Sequence, residues 1–135
     1  MGKLLTHEQI LAAMERTEVA TTEVHVPELG GSVKVREMSG SLRNRLEATY
    51  ATIRSGGDSK ALDTITAQLV SMCLLDEKDR PMMTVNEVKR LAAACPKAVF
   101  RLREAIVNIS ATDEDDLGEL EEVFDDAQSE PSTSD

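Results

Sequence analysis

The residues whose types could support catalysis are few and widely separated along the chain. His7 and His25 are the two histidines, and neither stands in a spacing typical of a catalytic base or a metal ligand. The stretch 39–41 lacks the Gly-x-Ser-x-Gly frame of a hydrolase nucleophile, and Gly56-Gly57 lacks the following Lys and hydroxyl residue of a phosphate-binding loop. We therefore expect no catalytic residue and no bound cofactor, and we interpret the protein as a non-enzyme.

Metal binding has no clear sequence signature either. The charged stretch 76–81 begins like a calcium loop, but Lys78 and Arg80 stand where oxygen ligands are needed and Pro81 stands where Gly is needed. The acidic stretch 113–126 is more typical of a solvated face or tail than of a metal site. We therefore predict no metal site.

Cysteine use and hydropathy indicate a reducing compartment. Cys73 and Cys95 are the two cysteines, and they form neither a Cys-x-x-Cys pair nor a His-containing zinc motif. Cys73 lies in an apolar run, which predicts a buried free thiol. No apolar run is long enough to cross a bilayer. We expect a soluble cytoplasmic protein with no membrane partner.

The net charge of −10 is concentrated at one end of the chain. Residues 113–135 hold 11 of the 25 acids and none of the 15 basic residues, so the preceding part is nearly neutral. The overall acidity argues against a constitutive nucleic-acid-binding protein, which normally carries a basic excess or stripe.

One basic cluster leaves a DNA-binding alternative open. Five basic residues flank a single predicted helical turn: Lys89, Arg90, Lys97, Arg101 and Arg103. In a helix-turn-helix, Lys97 and Arg101 would lie toward DNA phosphates. Glu104 interrupts the stripe, however, and ordinary surface arginines whose stems cover apolar neighbours produce the same pattern.

Hydrophobic periodicity predicts a mainly helical α+β fold. Apolar and polar residues alternate on both sides of the Pro/Gly-containing turn 27–31, which predicts a β-hairpin over residues 20–38. After Ser39 the period becomes helical, and the spacing around Leu102 gives the cleanest helical stripe. We therefore expect the hairpin to pack on a bundle of about four helices, near 42–54, 60–75, 85–95 and 97–109.

The two ends differ from this body. Thr6 and Gln9 form a capping-box pattern for a short amphipathic helix, so residues 1–17 are interpreted as a docked N-terminal arm. Residues 113–135 form an acidic C-terminal segment in which Gly118 and charge repulsion weaken a helix. From Ala127 onward we predict disorder, and we expect the whole segment to be dispensable for folding of the 18–112 domain.

The order of features in residues 20–112 resembles the tail assembly chaperones of siphophages. The resemblance is carried by Val33-Lys34-Val35-Arg36-Glu37-Met38-Ser39-Gly40 at the end of the hairpin. It is also carried by the stretch 69–77, by Arg80-Pro81-Met82-Met83-Thr84, and by a helix that ends near Ile106-Val107-Asn108-Ile109-Ser110. A Gly often found before the Pro is replaced here by Asp79-Arg80, so this turn departs from the family's pattern.

The resemblance implies a specific function. Proteins of that family bind the tape measure protein, keep it soluble, and promote polymerisation of the tail tube protein around it in the host cytoplasm. It implies a transient role in assembly and absence from the mature virion, and it leaves self-association open. A structural neck or tail-completion subunit of the virion is a further alternative.

Six apolar residues are the candidate partner-binding positions. Met is a flexible residue that suits adaptable surfaces, and the acidic C-terminal segment carries four apolar residues spaced like one helical face. The candidates are Met82, Met83, Leu117, Leu120, Val123 and Phe124. A terminal helix packed weakly on the protein's own body explains the last four equally well.

Overall fold

The computed structural model describes residues 4–57 and 60–128, with side chains as far as Phe124. The described part of the chain is 66% helical and carries an N-terminal hairpin, which confirms the predicted fold class. The helices are α1 (His7–Arg16), α2 (Gly40–Arg54), α3 (Lys60–Cys73), α4 (Val85–Ala94), α5 (Pro96–Ser110) and α6 (Glu114–Gln128), and the strands are β1 (Thr21–Val26), β2 (Gly31–Arg36) and β3 (Leu74–Leu75). None of these helices is long and apolar enough to cross a membrane.

Strands β1 and β2 form the predicted antiparallel hairpin. Val24 pairs with Val33 across the ladder. Gly30 ends the connecting turn with a φ of 79°, a left-handed conformation that glycine adopts without steric cost. Val26 and Val35 are fully buried, so one face of the hairpin rests on the helices as the alternation predicted.

The third strand was not predicted. Leu74–Leu75 pairs with β2, whereas the sequence pattern continued the preceding helix to residue 75. That prediction was wrong at its last two residues, because a pair of buried leucines suits a helix end and a strand equally well. The turn 76–81 decides between them by folding the chain back, so that the amide of Met82 donates to the carbonyl of Leu74 at 2.9 Å. Strand order is β1-β2-β3, so β1 is an edge strand.

An aspartate organises the turn that precedes Pro81. The Oδ1 atom of Asp76 accepts hydrogen bonds from the amides of Lys78 and Arg80, at 2.8 and 3.1 Å. Donation from the Arg80 amide, and then from that of Lys78, lowers the pKa of Asp76. Asp79 takes a φ of 60°, which normally favours Gly, and its carboxylate lies 2.7 Å from Nζ of Lys34. The turn thus keeps a left-handed residue without glycine.

Helix α5 lies at the centre of the core. It packs on β1 and β2 on one side and on α3 and α4 on the other. Leu102 and Ile106, in the middle of α5, are completely buried. No polar or charged side chain is buried in the described part of the chain, so the core is held by apolar packing.

Local sequence signals fix most helix ends. The capping box predicted at Thr6 with Gln9 is present, and Thr84 with Glu87 forms a second one at the start of α4. Helix α2 begins at Gly40, two residues earlier than predicted, because the hydroxyl of Ser39 accepts from the amide of Leu42 and caps the helix. Pro96 begins α5 directly after α4, where its missing N–H leaves no unmet hydrogen bond.

The acidic segment forms a well-packed helix. Leu120, Val123 and Phe124 of α6 are at most 6% exposed and belong to the main core. Helix α6 continues to Gln128, past the predicted start of disorder at Ala127, and residues 129–135 lie outside the described ranges. Three core side chains in α6 mean that its removal is expected to cost stability, contrary to the dispensability expected from sequence. The domain boundary near residue 112 stays a prediction.

Helix α1 contributes nothing to the core. None of its residues is buried, and Ile10 and Met14 are 47% and 66% exposed. The carbonyl of Ala20, at the end of the following linker, accepts from the amide of Glu37 at 3.0 Å. The arm is therefore tied to the body at the sheet and not through its own apolar face.

Replacing Leu102 with Ala is expected to lower the free energy of unfolding by about 2–5 kcal/mol, because the completely buried side chain leaves a cavity at the centre of α5. Chemical denaturation monitored by circular dichroism measures the loss. Met72→Ala is the control, since Met72 is 44% exposed and its truncation is expected to cost less than about 0.5 kcal/mol. Similar losses for both variants would contradict the placement of Leu102.

Two substitutions at Asp79 separate backbone strain from charge. Both Asp79→Gly and Asp79→Ala remove the ion pair with Lys34, but only glycine adopts a φ of 60° without a steric cost. We expect D79A to be less stable than D79G by about 1 kcal/mol in the same denaturation assay. Equal stability of the two variants would show that the left-handed conformation is not imposed by the turn.

Candidate functional site

A groove between α3, α4 and α5 forms a concave surface on the described part of the protein. Its volume is about 830 Å³, and it opens to solvent along one side. The floor is apolar and is formed by Leu62, Ala67, Val88, Ala92, Val99 and Phe100. Phe100 is 45% exposed, so an aromatic ring is available at the surface of what we call the α3–α5 groove. Such a surface suits an apolar segment of another protein.

The rim of the α3–α5 groove is mainly basic. Among the described residues, Lys60, Lys89 and Arg103 line it, with Asp63 as the single acid. The Arg103 guanidinium carbon lies 5.3 Å from the ring centre of Phe100, a cation–π distance. Apolar floor and basic rim together favour an amphipathic helix that carries acidic residues beside its apolar face.

Arg103 also connects the groove to α6. Its guanidinium carbon lies 4.5 Å from the ring centre of Phe124, which is buried in the core. A second contact fixes the start of α6, where Arg43 donates to both carboxylate oxygens of Asp116. This two-pronged hydrogen bond, together with a bond from the amide of Thr112, lowers the pKa of Asp116 far below its ordinary value. Acidic α6 is thus held by two arginines of the body.

The structure separates the six predicted partner-binding residues into two groups. Met82 is 46% exposed, and Met83 is partly buried against the core. Leu117 is also partly buried, whereas the other three α6 residues are buried within the protein's own body. The apolar face of α6 therefore reaches a partner only if α6 leaves the body, and Met82 is the candidate accessible in the folded protein.

The predicted basic cluster does not form one face. Lys89 and Arg103 share the rim of the groove. Arg101 instead points to the hairpin tip, where its Nε lies 2.7 Å from Oε1 of Glu28. The hydrogen bond from Arg101 lowers the pKa of Glu28, and that carboxylate raises the pKa of Arg101 in return. Arg101 is therefore paired with the hairpin and does not extend the basic rim formed by Lys89 and Arg103.

The remaining reactive groups are dispersed. No cluster of three His, Cys, Asp or Glu side chains suited to a metal is found among the described residues. Both cysteines are free, and burial raises the pKa of the Cys73 thiol to about 11. Cys73 is therefore a structural thiol, as its apolar sequence environment predicted.

Sequence reasoning did not identify the α3–α5 groove. Its residues come from three helices, and each helix taken alone shows only an ordinary apolar stripe. The available signal was Phe100, which follows buried Val99 directly and therefore falls off the face that the α5 stripe buries. An aromatic residue beside a core stripe, in a chain with two Phe, one Tyr and no Trp, marked the surface.

The fold defines a class: small α+β domains in which an N-terminal β-hairpin packs on a helical bundle. No protein-family model and no curated protein sequence matches the chain. The structure is similar to the solved structure of the bacteriophage HK97 tail assembly chaperone, with a TM-score of 0.51 and 22% identity. The match covers 78% of this chain and 99% of that chain. This likeness shows a shared fold and confirms, at that level, the resemblance found in residues 20–112.

The Arg43–Asp116 contact predicts how stability depends on pH. Because the pKa of Asp116 is lower in the folded state than its ordinary value of 3.8, its stabilising contribution is complete above that pH and is lost as the pH falls further. At pH 7, Asp116→Asn is expected to be less stable than wild type, and the two stability curves are expected to converge below pH 3.8.

Thermal denaturation across this range measures the effect. The neighbouring Asp115→Asn is the control, because Asp115 is exposed and makes no contact with Arg43 comparable to that of Asp116. A difference in thermal stability between wild type and D116N that stays constant as the pH falls below 3.8 would contradict this prediction.

Proposed function

We propose that this protein is a tail assembly chaperone of a long-tailed bacteriophage. In this role it binds the tape measure protein, keeps it soluble, and promotes polymerisation of the tail tube protein around it. The observation that carries the proposal is the shared fold with the HK97 tail assembly chaperone over 99% of that chain. The sequence resemblance in residues 20–112 supports the same assignment.

The α3–α5 groove supplies a binding mode for such a client. A tape measure protein is a very long helical chain, and a helix that presents an apolar face with acidic neighbours complements the apolar floor and the basic rim of the groove. We propose that successive copies of the chaperone each cover one amphipathic stretch of the client. Met82 and Met83 are proposed to extend the contact beyond the groove.

The charge distribution supports the solubilising role. Residues 113–135 carry 11 acids and no basic residue, and α6 holds the described part of that segment against the body. A complex that displays this acidic segment repels other copies of itself, which opposes aggregation of the client. In this role the protein acts in the host cytoplasm during assembly and is absent from the mature virion. Mass spectrometry of purified particles would detect it if it were a structural subunit instead.

Co-expression tests the proposal. The long helical reading frame expected near this gene is expressed alone, with the full chain, and with Phe100→Ser or Leu29→Ser, and the soluble share of the client is measured. Phe100 and Leu29 are 45% and 48% exposed, but only Phe100 lines the groove. The full chain and L29S are expected to keep the client soluble, and F100S is expected to leave more client in the pellet.

Two results would change the assignment. Failure of the full chain to raise the soluble share of the client would overturn the chaperone proposal. Equal rescue by F100S and L29S would keep the chaperone function and remove client binding from the groove. Circular dichroism of each variant shows whether it is folded, so loss of rescue by an unfolded variant is not counted.

A further inference from the structure

Strand β1 has a backbone edge that the described part of the chain leaves open. The strand order is β1-β2-β3, so β2 covers one edge of β1 and no described strand covers the other. Residues 21–25 are exposed, except for Val24, which is partly buried. A row of accessible N–H and C=O groups on a sheet edge is a template for an extended segment of another protein.

The hydrogen-bond alternation of the hairpin shows which backbone groups form this open edge. The carbonyl of Ala20 accepts from the amide of Glu37 at 3.0 Å, and these two residues continue the β1–β2 register as a hydrogen-bonded pair. Bonded and non-bonded pairs alternate along an antiparallel ladder, so every second residue of β1 turns its backbone groups away from β2. The residues whose N–H and C=O groups face the open edge are Thr21, Glu23 and His25.

These positions can pair with an added strand without a change in the hairpin. Each supplies one donor and one acceptor. The hydroxyl of Thr22 lies 3.5 Å from the carbonyl of Glu23, at the long limit for a hydrogen bond. An amide of an added strand would replace that weak contact with a bond of ordinary length.

A shallow slot, which we call the β1 slot, lies beside the open edge. It is lined by residues 21–25 of β1 and by three residues of α5: Ala105, Asn108 and Ile109. Side chains alternate across a strand, so Thr22 and Val24 share the inner face of the sheet with buried Val26. Ala105 and Ile109 are only partly buried, which leaves apolar surface uncovered in the slot. The inward side chains of an added strand would cover it.

Strand β2 shows which sequence pattern matches β1. On the covered edge, Val33-Lys34-Val35 stands opposite Val24-Glu23-Thr22. The pKa of Lys34 is raised by its hydrogen bond to Asp79 and, to a smaller extent, by the charge of Glu23. The exposed carboxylate of Glu23 favours a basic residue on an added strand for the same reason.

We propose that the open edge of β1 binds an extended segment of a partner protein as an additional antiparallel strand. The segment has an apolar–basic–apolar pattern, with the apolar side chains beside Thr22 and Val24 in the β1 slot and the basic side chain opposite Glu23. The edge of a second copy does not match this pattern, because its central residue is Glu23 itself. The interaction uses neither the α3–α5 groove nor its client, so it does not rest on the proposed function.

The first test uses a fluorescein-labelled peptide with the β2 sequence, Gly-Ser-Val-Lys-Val-Arg, and the full chain. Fluorescence anisotropy is expected to show saturable binding with a Kd below about 1 mM. A peptide in which both valines are serine is expected to bind at least about fivefold more weakly, because the slot then stays uncovered. Absence of saturable binding would overturn the proposal, and equal binding of the two peptides would contradict the assigned pattern.

Two substitutions at Glu23 separate the backbone from the charge. Glu23→Ala removes the carboxylate and is expected to weaken peptide binding by about two- to fivefold. Glu23→Pro also removes the N–H that faces the open edge, while the bonds from β1 to β2 stay in place, so binding is expected to fall at least about tenfold. Circular dichroism checks that both variants are folded. Binding to E23P as tight as that of the wild type would rule out pairing at this edge.

N-methylation of the peptide tests the same contact with the protein unchanged. A methyl group on the lysine nitrogen blocks the bond to the Glu23 carbonyl, whereas one on the nitrogen of the following valine points away from β1. The first is expected to weaken binding at least about tenfold, and the second is the matched control. Equal losses for both peptides would contradict strand pairing. Self-association that is lost in E23P, without binding of the peptide, would assign the edge to a second copy and overturn the proposal.

Discussion

Packing of α5 between the sheet and the α3/α4 pair is the constraint on which the rest of the structure depends. Leu102 and Ile106 are completely buried because both sides of this helix are covered. The hairpin alone would be marginal in water, and α3 and α4 would lack a common partner. One helix thus joins the two layers, and the residues at its N-terminal half that remain partly uncovered form a wall of the α3–α5 groove.

Local sequence patterns were sufficient to predict most of the helices and strands. Alternation around the Pro/Gly turn predicted the hairpin, and the capping residue Thr6 predicted where the first helix begins. Strand β3 was not predicted, because two adjacent leucines show neither a helical nor a strand repeat of apolar residues. The turn organised by Asp76 determines their conformation. The packing of α6 on the body was predicted only as one of two alternatives, because its acidic composition predicts repulsion. Arg43 and Arg103, from distant positions in sequence, contact α6 and offset that repulsion.

Less of the candidate site than of the fold could be predicted from the sequence. A groove between three helices depends on how the helices are placed relative to one another. Secondary-structure propensity and the spacing of apolar residues do not specify that placement. The partner-binding residues chosen from sequence were apolar residues at regular spacing, and regular spacing is also what burial in the protein's own core requires. Leu120 shows the ambiguity, since it is 1% exposed inside the protein that was expected to offer it to a partner. Exposed apolar residues off the core stripe, such as Phe100, are the better signal.

The open edge of the sheet has a consequence for how the protein behaves when concentrated. Among the described strands, β1 pairs with β2 alone, so its outer backbone N–H and C=O groups are able to template another strand. The edge is six residues long and carries exposed Glu23 near its middle. In a cross-β stack, these carboxylates would repeat every ~4.7 Å, and their repulsion opposes growth. Because dissolved salt screens that repulsion, fibril formation through this edge is disfavoured most strongly in dilute buffer.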